Sequence, residues 1–147
     1  CNSVYLPNGE TIHRHPDTTI VITTNNDYAG CKQMNQSVIS RMNLVIDLDE
    51  PDEDTQVERA MAVTGCKDAK TVRLMTRIVK SMAVYCRENL ITDGCCGMRE
   101  RISWVQSYMV CGDIREAARY TVLASASADA ENRTEVEESC LDTVLAA

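Results

Sequence analysis

The stretch TTIVITT, Thr18 to Thr24, followed at once by Asn25-Asn26-Asp27, decides how the front of this chain is read. Its seven residues are all β-branched. A continuous run of this kind, without polar alternation, predicts a strand buried on both faces, as in a parallel sheet. The polar triplet that ends it predicts a turn. Upstream, Asn8-Gly9 between Val4-Tyr5-Leu6 and Thr11-Ile12 predicts a β-hairpin. Downstream, Val38, Ile39 and Met42 fall at helical spacing within residues 35–42, and Leu44-Val45-Ile46 predicts a neighbouring strand. Residues 1–50 thus read as strand–turn–strand–helix–strand, an α/β arrangement.

The periodicity changes after DLDEPDED, Asp47 to Asp54, which holds six carboxylates and Pro51. This stretch predicts a solvated linker that opens a helix. It lacks the glycine and the spaced glutamate of a calcium-binding loop. Residues 51–147 read as an all-α bundle with short, antiparallel connections. The first helix covers about residues 55–64, with Val57, Ala60 and Met61 on one face and Gly65 as its stop. The second covers about residues 68–90, and Val72, Met75, Val79, Met82 and Cys86 form its stripe, which Leu74, Ile78 and Tyr85 widen. The third covers about residues 98–110, with Ile102, Val105 and Met109 inward, Trp104 as a core anchor and Gly112 as the stop. A fourth starts at Asp113 with Glu116 three residues on, and a last one at Thr134.

Composition sets the outer limits. Apolar residues are 44% and charged residues 25% of the chain, the balance of a soluble globular protein. Phenylalanine is absent, so the core is aliphatic and methionine-rich, with Met34, Met42, Met61, Met75 and Met82 as candidates. A net charge of −7 argues against general nucleic-acid binding. No apolar run reaches the ~20 residues of a membrane helix and no secretory signal is visible, which predicts a cytoplasmic protein without a membrane partner. The eight cysteines include no C-x-x-C pair, so buried free thiols are favoured over zinc.

The order YLPNGETIHRHPDTTIVITTNNDYAG…NQSVISRM…LVIDLDEP resembles the later half of an AAA+ ATPase core, nearest in style to the MoxR-like and dynein-related members. The likeness covers about residues 4–50. In that family a strand ends in T-N, and Thr24-Asn25 matches it. A short helix then ends in S-R-hydrophobic, and Ser40-Arg41-Met42 matches that. The resemblance implies the last strands of a parallel-sheet core (residues 1–50) followed by a helical lid (residues 51–147). It implies that Asn25 acts on the γ-phosphate of ATP and its attacking water, and that Arg41 reaches the nucleotide of a neighbouring subunit. It also implies an arginine near the start of a lid helix that touches bound ATP. Arg99 and Arg101 are the two candidates, with Arg99 favoured.

The partners implied are ATP with Mg²⁺, further subunits of a homo-oligomeric ring and a protein substrate remodelled by hydrolysis. The phosphate loop of that family is missing. Gly65-Cys66-Lys67-Asp68-Ala69-Lys70-Thr71 lacks the glycine before its lysine and would not wrap a phosphate with backbone N–H groups. The VIDLDE stretch follows the T-N strand, whereas the magnesium-binding strand of the family precedes it. These 147 residues alone are therefore expected to be inactive, and the chain, which opens on Cys1 inside a strand, reads as a fragment of a longer ATPase. The rival readings are a non-enzymatic helical interaction module and a cysteine-based redox or metal protein.

Overall fold

A computed structural model of the chain describes residues 3–24 and 34–146. It divides into two compact units, Cys1–Ser40 and Arg41–Ala147.

In the first unit, β1 (Ser3–Tyr5) and β2 (Thr11–His13) pair antiparallel with Val4 opposite Ile12. The turn is the Asn8-Gly9 turn read from sequence. Gly9 takes φ +87°, a value that costs little only without a Cβ, and the Asn8 side chain accepts from the Glu10 N–H at 3.1 Å. α1 (Gln36–Ile39) is a single turn, capped by Asn35, whose side chain accepts from the Ser37 N–H at 2.9 Å.

The parallel sheet expected of residues 1–50 is not formed: the hairpin is the only sheet among the described residues. Residues 18–24 and 44–46 have no strand pairing, and their side chains lie in solvent, Val21 79% and Val45 61% exposed. The α/β class is therefore overturned in favour of a mostly helical chain. The reason is that β-branching favours an extended backbone but supplies no ladder. A buried strand needs partners for its N–H and C=O groups, and none pairs with these runs among the described residues.

The second unit is the helical bundle that the periodicity predicts. α2 (Glu53–Thr64) starts on Asp52, whose carboxylate accepts from the Thr55 N–H at 2.7 Å, and stops at Gly65 with φ +76°. α3 (Ala69–Glu88) is the central element, and its stripe of Val72, Met75, Val79, Met82 and Cys86 is buried as read. α4 (Met98–Cys111) ends at Gly112, and α5 (Ile114–Arg119) is capped by Asp113. α6 (Val122–Ala126) follows. α7 (Ala130–Val136) then runs through a π-helical segment, Glu137–Asp142, into α8 (Thr143–Leu145). This last helix starts on Asp129, five residues before the Glu-containing pattern at Thr134 suggests. The Asp129 side chain caps the N–H groups of Glu131 and Asn132, while Thr134 sits inside the helix and bonds back to Ala130.

The core joins α2 to the C-terminal helices around α3, with Trp104, Ala117, Val122, Leu123, Val136 and Leu141 fully or nearly buried. Of the five methionines read as core candidates, Met75 and Met82 are buried, and Met61 packs at the margin. The buried face of α4 differs from the one expected. Arg101, Trp104 and Val105 point inward and Met109 is half exposed, so the face is rotated toward Trp104. The largest side chain on the helix sets that rotation. Trp104 fills the interior, and its indole N–H donates to the Ile114 carbonyl at 2.9 Å.

Candidate functional site

The residues singled out by sequence fall in different places. Asn25 lies outside the described residues. Thr24 before it is exposed, and so is Arg41, just after the single turn of α1. Because Arg41 and Thr24 belong to separate units, no site is built from them here. Arg99 and Arg101 sit on the first turn of α4, where geometry separates them clearly.

α4 begins at Gly97, whose N–H donates to the Glu100 carboxylate at 3.0 Å, tying off one of the free donors of the helix start. Arg99 projects from this turn into solvent. Arg101, two residues on and rotated by about 200°, is 2% exposed. One Arg101 Nη contacts the Met98 sulfur at 3.7 Å, and its Nε has no hydrogen-bond partner among the described residues. Burial pushes the Arg101 guanidinium down from its ordinary value, and the Glu50 carboxylate opposes that shift.

Glu50 belongs to the acidic stretch, which folds onto α2. The Gln56 side-chain amide donates to Glu50 at 3.2 Å and to the Pro51 carbonyl, while its own carbonyl oxygen lacks a partner among the described residues. Glu50, Gln56 and Arg101 thus form a polar cluster that periodicity does not reveal. The signal that would have found it is the size of Trp104, which rotates α4 and takes Arg101 inward.

The next carboxylates of the stretch are also engaged. Glu53 accepts from Arg77 at 3.0 Å and from Arg73 at 3.0 Å, and Asp54 accepts from Arg73 at 2.6 Å. The Arg77 guanidinium first, and Arg73 second, hold the Glu53 carboxyl down to about 2. The acidic stretch therefore ends as a helix cap and a clamp between α2 and α3, a structural use of charge. Asp47 and Asp49 are exposed, as read.

Shallow, solvent-open depressions are found among the described residues. One is lined by Gln36, Ser37, Ile39 and Ser40, and another by Tyr108, Ile114, Arg115 and Leu145 among others. Neither includes Arg99 or Arg101. Among the described residues no group of three or more His, Cys, Asp or Glu side chains is arranged to hold a metal ion, and no helix is long and apolar enough to cross a membrane. Comparison with protein-family models, with curated proteins and with solved structures gives no match for this chain.

Proposed function

We propose that the helical unit is the nucleotide-responsive part of a ring-forming ATP hydrolase, with Arg99 as its contact to the γ-phosphate of ATP, whose Mg²⁺ would be held from outside these residues. The phosphate loop would come from outside these residues. The observation that carries this reading is the split between the two arginines of α4, Arg99 exposed and Arg101 buried. A guanidinium free to reach out from the first turn of a 14-residue helix can gain a phosphate partner when nucleotide binds, which would couple the helical unit to nucleotide state. The order of Thr24-Asn25 and Ser40-Arg41-Met42 adds the sequence argument for hydrolysis with an arginine given in trans to the next subunit.

The test uses the ATP-hydrolysing gene product. Arg41→Ala should lower turnover by ~10³-fold or more and be rescued by mixing with subunits that lack the phosphate loop. Arg99→Ala should weaken ATP binding or hydrolysis. The 147-residue chain alone should release no phosphate from ATP. Wild-type turnover in both arginine variants would remove this reading.

A second reading, a non-enzymatic helical module that binds a protein partner, is favoured by exposed apolar groups on the bundle. Val110 is 89% exposed at the end of α4, and Tyr120 is exposed at the end of α5. This reading gives Asn25, Arg41 and Arg99 no role.

A further inference from the structure

The run TTIVITT, Thr18 to Thr24, reads the same in both directions, with Val21 at its centre. It carries no charge, every residue of it is exposed, and it has no strand partner among the described residues. Folded proteins ordinarily protect an unpaired β-branched run with a lysine, a proline or a bulge along it. Here such residues stand only at the start, as Pro16-Asp17. The Thr18 N–H closes that corner by donating to the His15 carbonyl at 3.0 Å, and the Asp17 carboxylate lies 3.6 Å from the His15 Nδ1.

We propose that residues 18–24 dock on the same run of a second copy of this chain, as an antiparallel two-stranded ribbon whose two-fold axis passes between the two Val21 residues. The palindrome selects this occupant. About that axis Val21 faces Val21, Ile20 faces Ile22, Thr19 faces Thr23 and Thr18 faces Thr24, so every position meets its own kind. Such a self-complementary patch is what a two-fold interface requires, and β-branched pairs and threonine pairs are favourable across strands. The pairing involves no nucleotide and does not depend on the reading of Arg41 and Arg99.

Two observations fix the direction and the hydrogen-bond register. A parallel, in-register pair would set Asp17 beside Asp17 of the other copy, like charges at the mouth of the ribbon. The antiparallel pair puts them at opposite ends, roughly 27 Å apart at the rise of a strand, well beyond the screening length of about 8 Å. Within the antiparallel pair, either Thr19, Val21 and Thr23 or the residues between them exchange backbone bonds with the other copy. The second choice needs the Thr18 N–H, which the His15 carbonyl already holds. Thr19, Val21 and Thr23 are therefore the bonded positions. Ile20 and Ile22 fall at the non-bonded positions, where side chains approach most closely, and both isoleucines of each copy share one face. The ribbon is short, so the dimer is of the weak, reversible class.

The 147-residue chain is followed by sedimentation equilibrium over a dilution series, with reductant present so that its eight cysteines form no links. The expected mass rises with concentration from 16.3 kDa toward twice that value and stops there. Val21→Lys, at a side chain 79% exposed, sets two ammonium groups against each other on the axis and should weaken the dimer by about tenfold. An equimolar mixture with Val21→Glu should recover it, since the introduced ammonium then faces the introduced carboxylate. Amide exchange in the ¹⁵N-labelled wild type reads the register without any substitution. One set of signals is expected, with the N–H groups of Thr19, Val21 and Thr23 slowed as concentration rises and those of Ile20 and Ile22 unchanged. A chain that stays monomeric up to about 1 mM, the weak end of specific association, overturns the proposal. So does a dimer that Val21→Lys leaves intact, a doubled set of signals as from a parallel pair, or growth past the dimer into fibrils.

Discussion

The run Val72 to Cys86 in α3 and the run Thr18 to Thr24 are both rich in apolar side chains, yet their surroundings are opposite. Val72, Met75, Val79 and Met82 are buried, whereas Ile20, Val21 and Ile22 stand in solvent. The difference lies in where each run finds backbone partners. A helix pairs its own N–H and C=O groups within one turn, so an amphipathic stripe has only to find something to pack against. An extended run must borrow its ladder from another segment, however strong its β-propensity. The comparison teaches that apolar periodicity is enough to place a helix and that a β-branched run is only half of a strand.

Trp104→Ala should break the packed side of this comparison most strongly. It removes a fully buried indole and leaves the Ile114 carbonyl without its donor, a loss of about 3–5 kcal/mol readable by urea unfolding. A loss below about 1 kcal/mol would mean that α4 is not anchored through this side chain. Gly94→Ala comes next. The new methyl would run into backbone at Ala126, which cannot swing away as a side chain would, so a loss of about 1–3 kcal/mol is expected from the same measurement.

Leu90→Gly tests the end of α3 in the opposite direction. Leu90 occupies the left-handed position of a helix-ending motif that ordinarily takes glycine, and it is 82% exposed, so little packing is given up. Relief of the left-handed strain, less the freedom glycine gains in the unfolded chain, should stabilise by about 0.5–1 kcal/mol. A destabilised Leu90→Gly would show that the leucine makes a contact that offsets its strain.

The α2–α3 clamp should be visible in acid. Glu53 has a folded pKa near 2, below its ordinary 4.5, because Arg77 and Arg73 bond the carboxylate. Its contribution is therefore complete above about pH 4.5 and is lost as pH falls toward about 2. Glu53→Gln should flatten that part of the stability–pH curve, and an unchanged acid slope would mean that solvent screens the clamp completely. The smallest effect is expected of Val21→Thr. It keeps the β-branched shape and adds polarity to a side chain already in water, so the unfolding midpoint of the helical unit should move by less than about 0.5 kcal/mol. A larger loss would place Val21 in a packed environment after all.

Much of the helical unit was legible in the residues themselves. The α3 stripe, the glycine stops at Gly65 and Gly112 and the capping role of Asp113 are local signals, and the structure follows them. The Asn8-Gly9 hairpin is equally local. What was not legible depended on segments meeting across the chain. The run Thr18 to Thr24 needed neighbours that the sequence could not certify, and the α/β reading rested on them. On α4, Trp104 and Val105 are buried as read, but packing left Met109 half exposed and took Arg101 inward, which periodicity did not show.

For the candidate site, sequence placed Arg99 and Arg101 on one helix turn, and only packing separated a solvent-facing guanidinium from a buried one. Likewise, sequence supplied Asp93 and Ser127 as separate polar residues, and only the return of the chain after Leu90 brought them into a hydrogen bond at 2.9 Å. Helix spacing, caps and tight turns are fixed over a few residues, so the order of amino acids determines them. Burial and pairing join residues distant along the chain, and tertiary structure alone determines those.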